Sequence, residues 1–62
     1  MRQDNMIKYT VEIEYEYNVN LKDIVTVQAC NVSQLVHRVE SNYIGEDGKG
    51  AILSRILKQE EI

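Results

Sequence analysis

Three glutamates at alternate positions are the residues whose spacing most suggests a function. Glu12, Glu14 and Glu16 are separated only by Ile13 and Tyr15. In a β-strand, alternate side chains lie about 6.7 Å apart on the same face, a spacing comparable to that of successive phosphates on a nucleic-acid strand. Three carboxylates at this spacing would form a straight row of negative charge. We call them the glutamate row, and they are either a partner-binding surface or an acidic face that keeps an exposed sheet soluble.

The charge of the chain points to a basic partner. The formal net charge is −3 and the pI is about 4.9, which disfavours direct binding to nucleic acid or to anionic membranes. The neighbouring predicted strand presents Ile24, Thr26 and Gln28 on its outward face, so we expect no cross-strand cation to neutralise the glutamate row.

The sequence offers little for catalysis or for a cofactor. Cys30 and His37 are single copies, and a nucleophilic pair needs hydrogen-bond contact and an orienting third group. We interpret them as a small buried thiol and a surface histidine. The loop 45–50 contains a Gly-Lys pair but lacks the spacing of a phosphate-binding loop. We predict no enzyme activity, no cofactor and no metal site.

The segment 7–19 is predicted to be one long strand that organises the fold. Its odd positions are all apolar or aromatic and its even positions are polar or charged, which is the alternation of a strand with one buried face. A second strand is predicted over 24–30, after a loop of three to five residues within 18–23.

The register of this predicted hairpin follows from its two apolar faces. Odd positions must pair with odd positions if both apolar faces point the same way. Ile13 should then lie near Val27 or Ala29, and Asn20 is a candidate for positive φ in the loop.

A helix is predicted to begin at Asn31. Asn31 is a suitable N-cap, and Gln34 can reach back in a variant of the capping box. One apolar stripe follows at helical spacing, and it consists of Val32, Leu35, Val36, Val39 and Tyr43. Gly45 is predicted as the glycine that ends the helix, and 45–50 as a flexible polar loop.

The segment 52–59 is ambiguous, because Ile52, Leu53, Ile56 and Leu57 fit one side of a helix about as well as a strand. We prefer a third strand, since a two-stranded hairpin is rarely stable alone, and keep a second helix as the alternative. The predicted fold class is α+β: β-β-α-β, a three-stranded antiparallel sheet with one helix packed on one face. Residues 1–62 form one domain with 1–5 as a flexible N-terminal tail, expected in the cytoplasm without a membrane span.

A homodimer is expected from the small size of the chain. With 62 residues and one cysteine, the chain has neither a large core nor an internal crosslink. A strand of thirteen residues spans roughly 43 Å, whereas a helix of twelve covers only about 18 Å. We expect the uncovered ends, including Ile7, Tyr15 and Tyr17, to pack against a second copy.

The order strand, strand, helix, strand resembles the very small host-takeover proteins of bacterial viruses, and the segments that carry the resemblance are 8–15, 25–29, 31–36 and 52–56. Such proteins include inhibitors of uracil-DNA glycosylase, of host RNA polymerase and of the nucleoid protein HU, several of them acidic and dimeric. The resemblance is one of pattern, and the chain departs from inhibitors that grip their targets with Phe or Trp, which it lacks.

The resemblance implies a non-enzymatic phage protein, acting in the host cytoplasm, that binds and inhibits a basic host DNA-binding protein. In this interpretation the glutamate row acts as a DNA mimic. The alternative is a regulatory protein that binds host RNA polymerase or another host machine without mimicry. A third hypothesis is nucleic-acid binding, which requires several cations to gather on one face; the candidates are Lys8, Lys22, Arg38, Lys49, Arg55 and Lys58.

Overall fold

A computed structural model describes residues 6–62. It contains, in chain order, β1 (Ile7–Tyr15), β2 (Asn18–Ala29), α1 (Val32–Asn42) and β3 (Ile52–Glu61). The strands form one antiparallel sheet in the order β2-β1-β3, and the helix packs on one face. The predicted α+β class and β-β-α-β order are confirmed. The predicted tail at 1–5 lies outside the described residues.

The first strand ends earlier than the alternation predicts. Tyr15 pairs with Asn18, so the chain reverses at Glu16 and Tyr17, and the predicted loop 18–23 belongs to β2. The register shifts between Glu14 and Tyr15, and this irregularity lets the chain turn without the Asn-Gly or Asp-Gly pair that marks many tight hairpins.

The early turn changes the partners along the hairpin. Odd positions do pair with odd positions, as predicted, but Ile13 pairs with Asp23 instead of lying opposite Val27 or Ala29. Asn20 is a strand residue, and its backbone N–H donates a hydrogen bond to Asn18 Oδ1 at 3.1 Å. Within residues 6–62, positive φ occurs only at Gly48, so the prediction for Asn20 is wrong.

The helix begins as predicted. Asn31 Oδ1 accepts the backbone N–H of Gln34 at 2.8 Å, and Gln34 Oε1 accepts the backbone N–H of Cys30 at 2.8 Å. The Gln34 side chain therefore bonds to the backbone N–H of the residue before the N-cap, whereas in the usual capping box it would bond to the N-cap itself. Tyr43 ends the helix with extended backbone angles, so Gly45 is not its terminating glycine.

The loop after the helix is held by several contacts. Ile44 and Gly50 form a β-bridge, and the Gly45 N–H donates to the Lys49 carbonyl at 2.9 Å. A Cβ on Gly45 would lie 2.9 Å from the Tyr17 ring, and one on Gly50 would lie 2.4 Å from the Glu40 carbonyl oxygen. Both glycines are needed because neighbouring groups approach their backbone closely.

The last segment is a strand, as preferred, and two bulges explain why its pattern was ambiguous. Leu53 pairs with Ile13 and Ile56 pairs with Val11. Residues three positions apart would point to opposite faces of a regular strand, but the extra residue Ser54 brings both onto the same face. Leu57 is a second extra residue in the same strand.

The core lies between the helix and one face of the sheet. Its buried residues are Tyr9, Val11, Ile13, Val27, Ala29, Leu35, Val39 and Ala51. Among the described residues no polar or charged side chain is buried. The odd residues of β1 thus form the inner face of the fold, and its even residues must lie on the other face.

Candidate binding face of the sheet

The face of the sheet opposite the helix is uncovered by the rest of residues 6–62, and we call it the open face. The registers assign its residues, which are Lys8, Thr10, Glu12 and Glu14 of β1, Lys22, Ile24, Thr26 and Gln28 of β2, and Ile52, Arg55, Lys58 and Glu60 of β3. The residues from the two outer strands are all exposed, and three of the four from central β1 are half-buried between neighbours. The open face therefore mixes charged, polar and apolar groups.

The glutamate row lies where the sequence predicts it. Glu12 and Glu14 are on the central strand, and Glu16 follows in the turn. Their side chains are 18%, 31% and 55% exposed. The row thus runs from the middle of the open face to the hairpin end.

The expectation that the row is not neutralised is wrong. The Arg55 Nε lies 3.2 Å from Glu12 Oε1, and the Lys22 ammonium donates to the Glu14 carboxylate. The Lys49 ammonium lies 3.0 Å from Glu16 Oε1. The expectation fails because the chain turns earlier than predicted. Lys22 then lies in β2 opposite Glu14, whereas the predicted loop 18–23 would have kept Lys22 out of the sheet.

Glu14 has the most strongly defined environment in the row. The hydrogen bond from Lys22 and a second from the Ser54 hydroxyl, at 3.2 Å, hold the pKa of Glu14 below its usual value. The same bond to Glu14 raises the pKa of Lys22. Ser54 is the extra residue of a β3 bulge. The bulge therefore has two effects: it places Leu53 and Ile56 on the same face, and it gives the glutamate row a hydroxyl donor.

Glu16 links the hairpin turn to the loop that follows the helix. Its hydrogen bond and its charge raise the pKa of Lys49. In the same turn, the Tyr15 and Tyr17 rings are 5.7 Å apart and tilted. Burial of the ring and the charge of Asp23 raise the pKa of Tyr15. The turn is therefore held by the ion pair of Glu16 with Lys49 and by the contact between the two tyrosine rings.

Two exposed isoleucines complete a diagonal pattern around the row. Glu12 lies between Ile24 on β2 and Arg55 on β3, whereas Glu14 lies between Lys22 on β2 and Ile52 on β3. Glu12 and Glu14 thus each have one cation and one isoleucine as neighbours. The cation is on β3 for Glu12 and on β2 for Glu14. Ile24 is 65% exposed and Ile52 is 45% exposed. The sequence alone does not place Ile52 on this face, because the segment 52–59 fits a helix about as well as a strand.

Four of the six cations named for nucleic-acid binding do gather on the open face: Lys8, Lys22, Arg55 and Lys58. Each is within 4 Å of a carboxylate, including Glu60, which is approached by both Lys8 and Lys58. Arg38 instead lies on the helix and donates to the Gln28 carbonyl at 2.7 Å. The open face is therefore of mixed charge.

The residues assigned to dimerisation occupy different environments. Ile7 and Tyr15 are half-buried and pack against the core of their own chain, whereas Tyr17 is 39% exposed. The predicted strand length of thirteen residues is wrong, since β1 has nine residues. A mismatch remains, because β1 spans about 30 Å and the eleven-residue helix about 16 Å.

The surface position predicted for His37 is confirmed, whereas Cys30 is half-buried instead of buried. The Cys30 thiol is half-buried and 3.5 Å from the Met6 thioether sulfur, and His37 is exposed on the helix. Across residues 6–62, no group of three His, Cys, Asp or Glu side chains is arranged to hold a metal ion. Helix α1 is too short to cross a membrane, and the described chain has no other helix that is long and apolar enough to do so.

Comparison of the chain with protein-family models, with curated proteins and with solved structures gives no match. The phage resemblance therefore stays a prediction that depends on the order of elements and the segment pattern.

Proposed function

We propose that this protein is a non-enzymatic binding protein that docks another protein on the open face of its sheet. The observation that carries the proposal is the pattern around the glutamate row, in which Ile24 and Ile52 provide apolar contact area and the ion pairs provide charges of both signs. Protein interfaces combine apolar anchors with a charged and polar surround. A nucleic-acid surface, by contrast, needs an excess of cations.

A finer form of the proposal is the DNA mimic, in which the partner is a basic DNA-binding protein of a host cell. The exposure of the three cations supports it: the side chains of Lys22, Lys49 and Arg55 are 45%, 66% and 70% exposed, and surface ion pairs contribute little stability. A row of basic side chains on the partner would displace the three internal cations from the glutamates.

Two matched triple variants separate these hypotheses. One removes the carboxylates, as Glu12→Gln, Glu14→Gln and Glu16→Gln. The other removes their cationic partners, as Lys22→Gln, Lys49→Gln and Arg55→Gln. Both triples break the same three ion pairs, so any difference between them reports the sign of charge that the partner needs.

The two forms of the proposal predict different results. If the partner contacts charges of both signs, both triples weaken capture of the same protein from a bacterial lysate, identified by mass spectrometry. If the protein is a DNA mimic, the glutamate triple abolishes capture and the cation triple strengthens it, because the carboxylates are freed. Circular dichroism must show that both variants stay folded. Unchanged capture by both triples would overturn the proposal.

Titration with DNA and RNA at low salt tests the third hypothesis. We expect no binding by the wild type, since every cation on the open face faces a carboxylate. Binding that falls steeply with salt, and that the cation triple removes, would replace protein docking with nucleic-acid recognition.

A further inference from the structure

The two edges of the sheet differ, and the difference bears on self-association. The outer strands β2 and β3 each have one side that pairs with no other strand of residues 6–62. Such an edge is a template for a further strand unless bulges, prolines or charges protect it. The β3 edge has two bulges, and charged residues dominate its second half.

The β2 edge lacks the strongest of these protections. Its pairing with β1 is regular from Lys22 to Ala29, and between Ile24 and Ala29 every side chain is uncharged. Ile24 is the most exposed large apolar residue of this regular stretch. The only charges on the stretch, those of Lys22 and Asp23, lie together at one end.

We propose that two copies of this chain associate through antiparallel pairing of their β2 edges, forming one continuous six-stranded sheet. An antiparallel pair related by a two-fold axis brings the charged end of one segment to the uncharged end of the other. Lys22 and Asp23 of the two copies then lie at opposite ends of the ladder, and like charges do not face each other.

Four two-fold registers pair at least five residues of the regular segment, centred on Ile24, Val25, Thr26 or Val27. The first three keep Gln28 at least two positions from the axis and are the candidate registers. In each of them directly opposite residues have the same parity, so the two helices lie on the same side of the joined sheet. The Gln28 carbonyl already accepts a hydrogen bond from the Arg38 guanidinium. The hydrogen bonds between two copies should therefore form in the middle of the segment, away from Gln28. This dimer uses neither Tyr15 nor Tyr17, and it leaves both open faces uncovered, side by side.

The Ile24→Lys variant tests the proposal, with Ile52→Lys as its matched control. Both replace an exposed isoleucine of the open face, but on opposite edges of the sheet. Sedimentation should show the wild type at twice the chain mass of 7.2 kDa. Lysine on the β2 edge should raise the dissociation constant about tenfold or more, whereas Ile52→Lys should leave it unchanged, with both variants folded by circular dichroism.

Cysteine crosslinking identifies the register. In a Cys30→Ser background, Ile24→Cys links to itself in the Ile24-centred register, and Thr26→Cys links to itself in the Thr26-centred register. Only a mixture of the two variants links in the Val25-centred register, because directly opposite residues of an antiparallel pair lie within disulfide distance. Ile52→Cys in the same background should form no disulfide-linked dimer under the same mild oxidation, because Ile52 lies on β3, away from the β2 edge.

Three results would overturn the β2 dimer. They are a wild type that stays at the chain mass at millimolar concentration, equal disruption by Ile24→Lys and Ile52→Lys, and crosslinking of Ile52→Cys in place of the β2 variants. The second result would indicate stacking of open faces, and the third would indicate pairing through β3.

Discussion

The two faces of β1 are held in place by different physical effects. On the inner face, Tyr9, Val11 and Ile13 are at most 2% exposed and pack against the helix. On the open face, Glu12 and Glu14 face a cation on one neighbouring strand and an isoleucine on the other. The inner face stabilises the fold by apolar burial, whereas exposed ion pairs contribute little to stability. Substitutions on the open face should therefore cost less stability than substitutions on the inner face.

The largest effect should follow from a cavity in the inner face. Leu35 is fully buried between α1 and the sheet, and Leu35→Ala should reduce the free energy of unfolding by about 2–5 kcal/mol. Urea denaturation measures the change. Val32→Ala, at a helix position that is 48% exposed, is the control and should cost far less. Equal losses would mean that α1 does not pack as described.

Loss of the helix cap should have a smaller effect. Asn31→Ala removes the side-chain acceptor of the Gln34 amide and should cost about 1 kcal/mol of stability. The neighbouring Ser33→Ala is a control, because it leaves the cap intact. Thermal unfolding of the two variants compares them, and a Ser33 variant as unstable as the Asn31 variant would contradict the assigned cap.

The smallest effect should come from the glutamate row and appear as a dependence on pH. The folded pKa of Glu14 is lowered, so its stabilisation is complete above the unfolded pKa and is lost as pH falls through the folded pKa. Glu14→Gln should therefore flatten the acid side of the stability profile. Glu46→Gln, in the loop, is the control, and an identical change in both variants would refute the role of the Lys22 and Ser54 bonds.

The alkaline side of the same profile tests the cations. The folded pKa values of Lys22 and Lys49 are raised, so their stabilisation is present below the unfolded pKa and is lost as pH rises through the folded pKa. Lys22→Met and Lys49→Met should each weaken the alkaline dependence. Chemical denaturation across the alkaline range measures it, with Lys8→Met as the comparison.

The sequence predicts the inner face better than the open face, for a physical reason. Apolar alternation in β1 and the spacing of Leu35 and Val39 in α1 depend on local geometry, and both are confirmed. Pairing of charges depends instead on where the chain turns and which strands become neighbours. Without a turn signal at Glu16 and Tyr17, the position of Lys22 opposite Glu14 could not be derived.

The same limit explains the last strand. Leu53 and Ile56 are an odd number of positions apart, so no regular strand places both on the inner face. The bulge at Ser54 is a tertiary adjustment to the core and has no local marker such as glycine. Arg55 is brought opposite Glu12 by this adjustment, and the ion pair between these two residues was therefore not predicted.

The central position of β1 also has a consequence for protein synthesis. β1 is translated before both of its neighbouring strands. It can pair with β2 as soon as the hairpin has been synthesised, but the edge that pairs with β3 has no partner strand until Ile52–Glu61 has left the ribosome. A two-stranded hairpin is marginal in water, and unpaired apolar edges make nascent chains prone to aggregate. A product that ends before β3 would keep that edge bare permanently, so we expect it to be a target for chaperones and proteases.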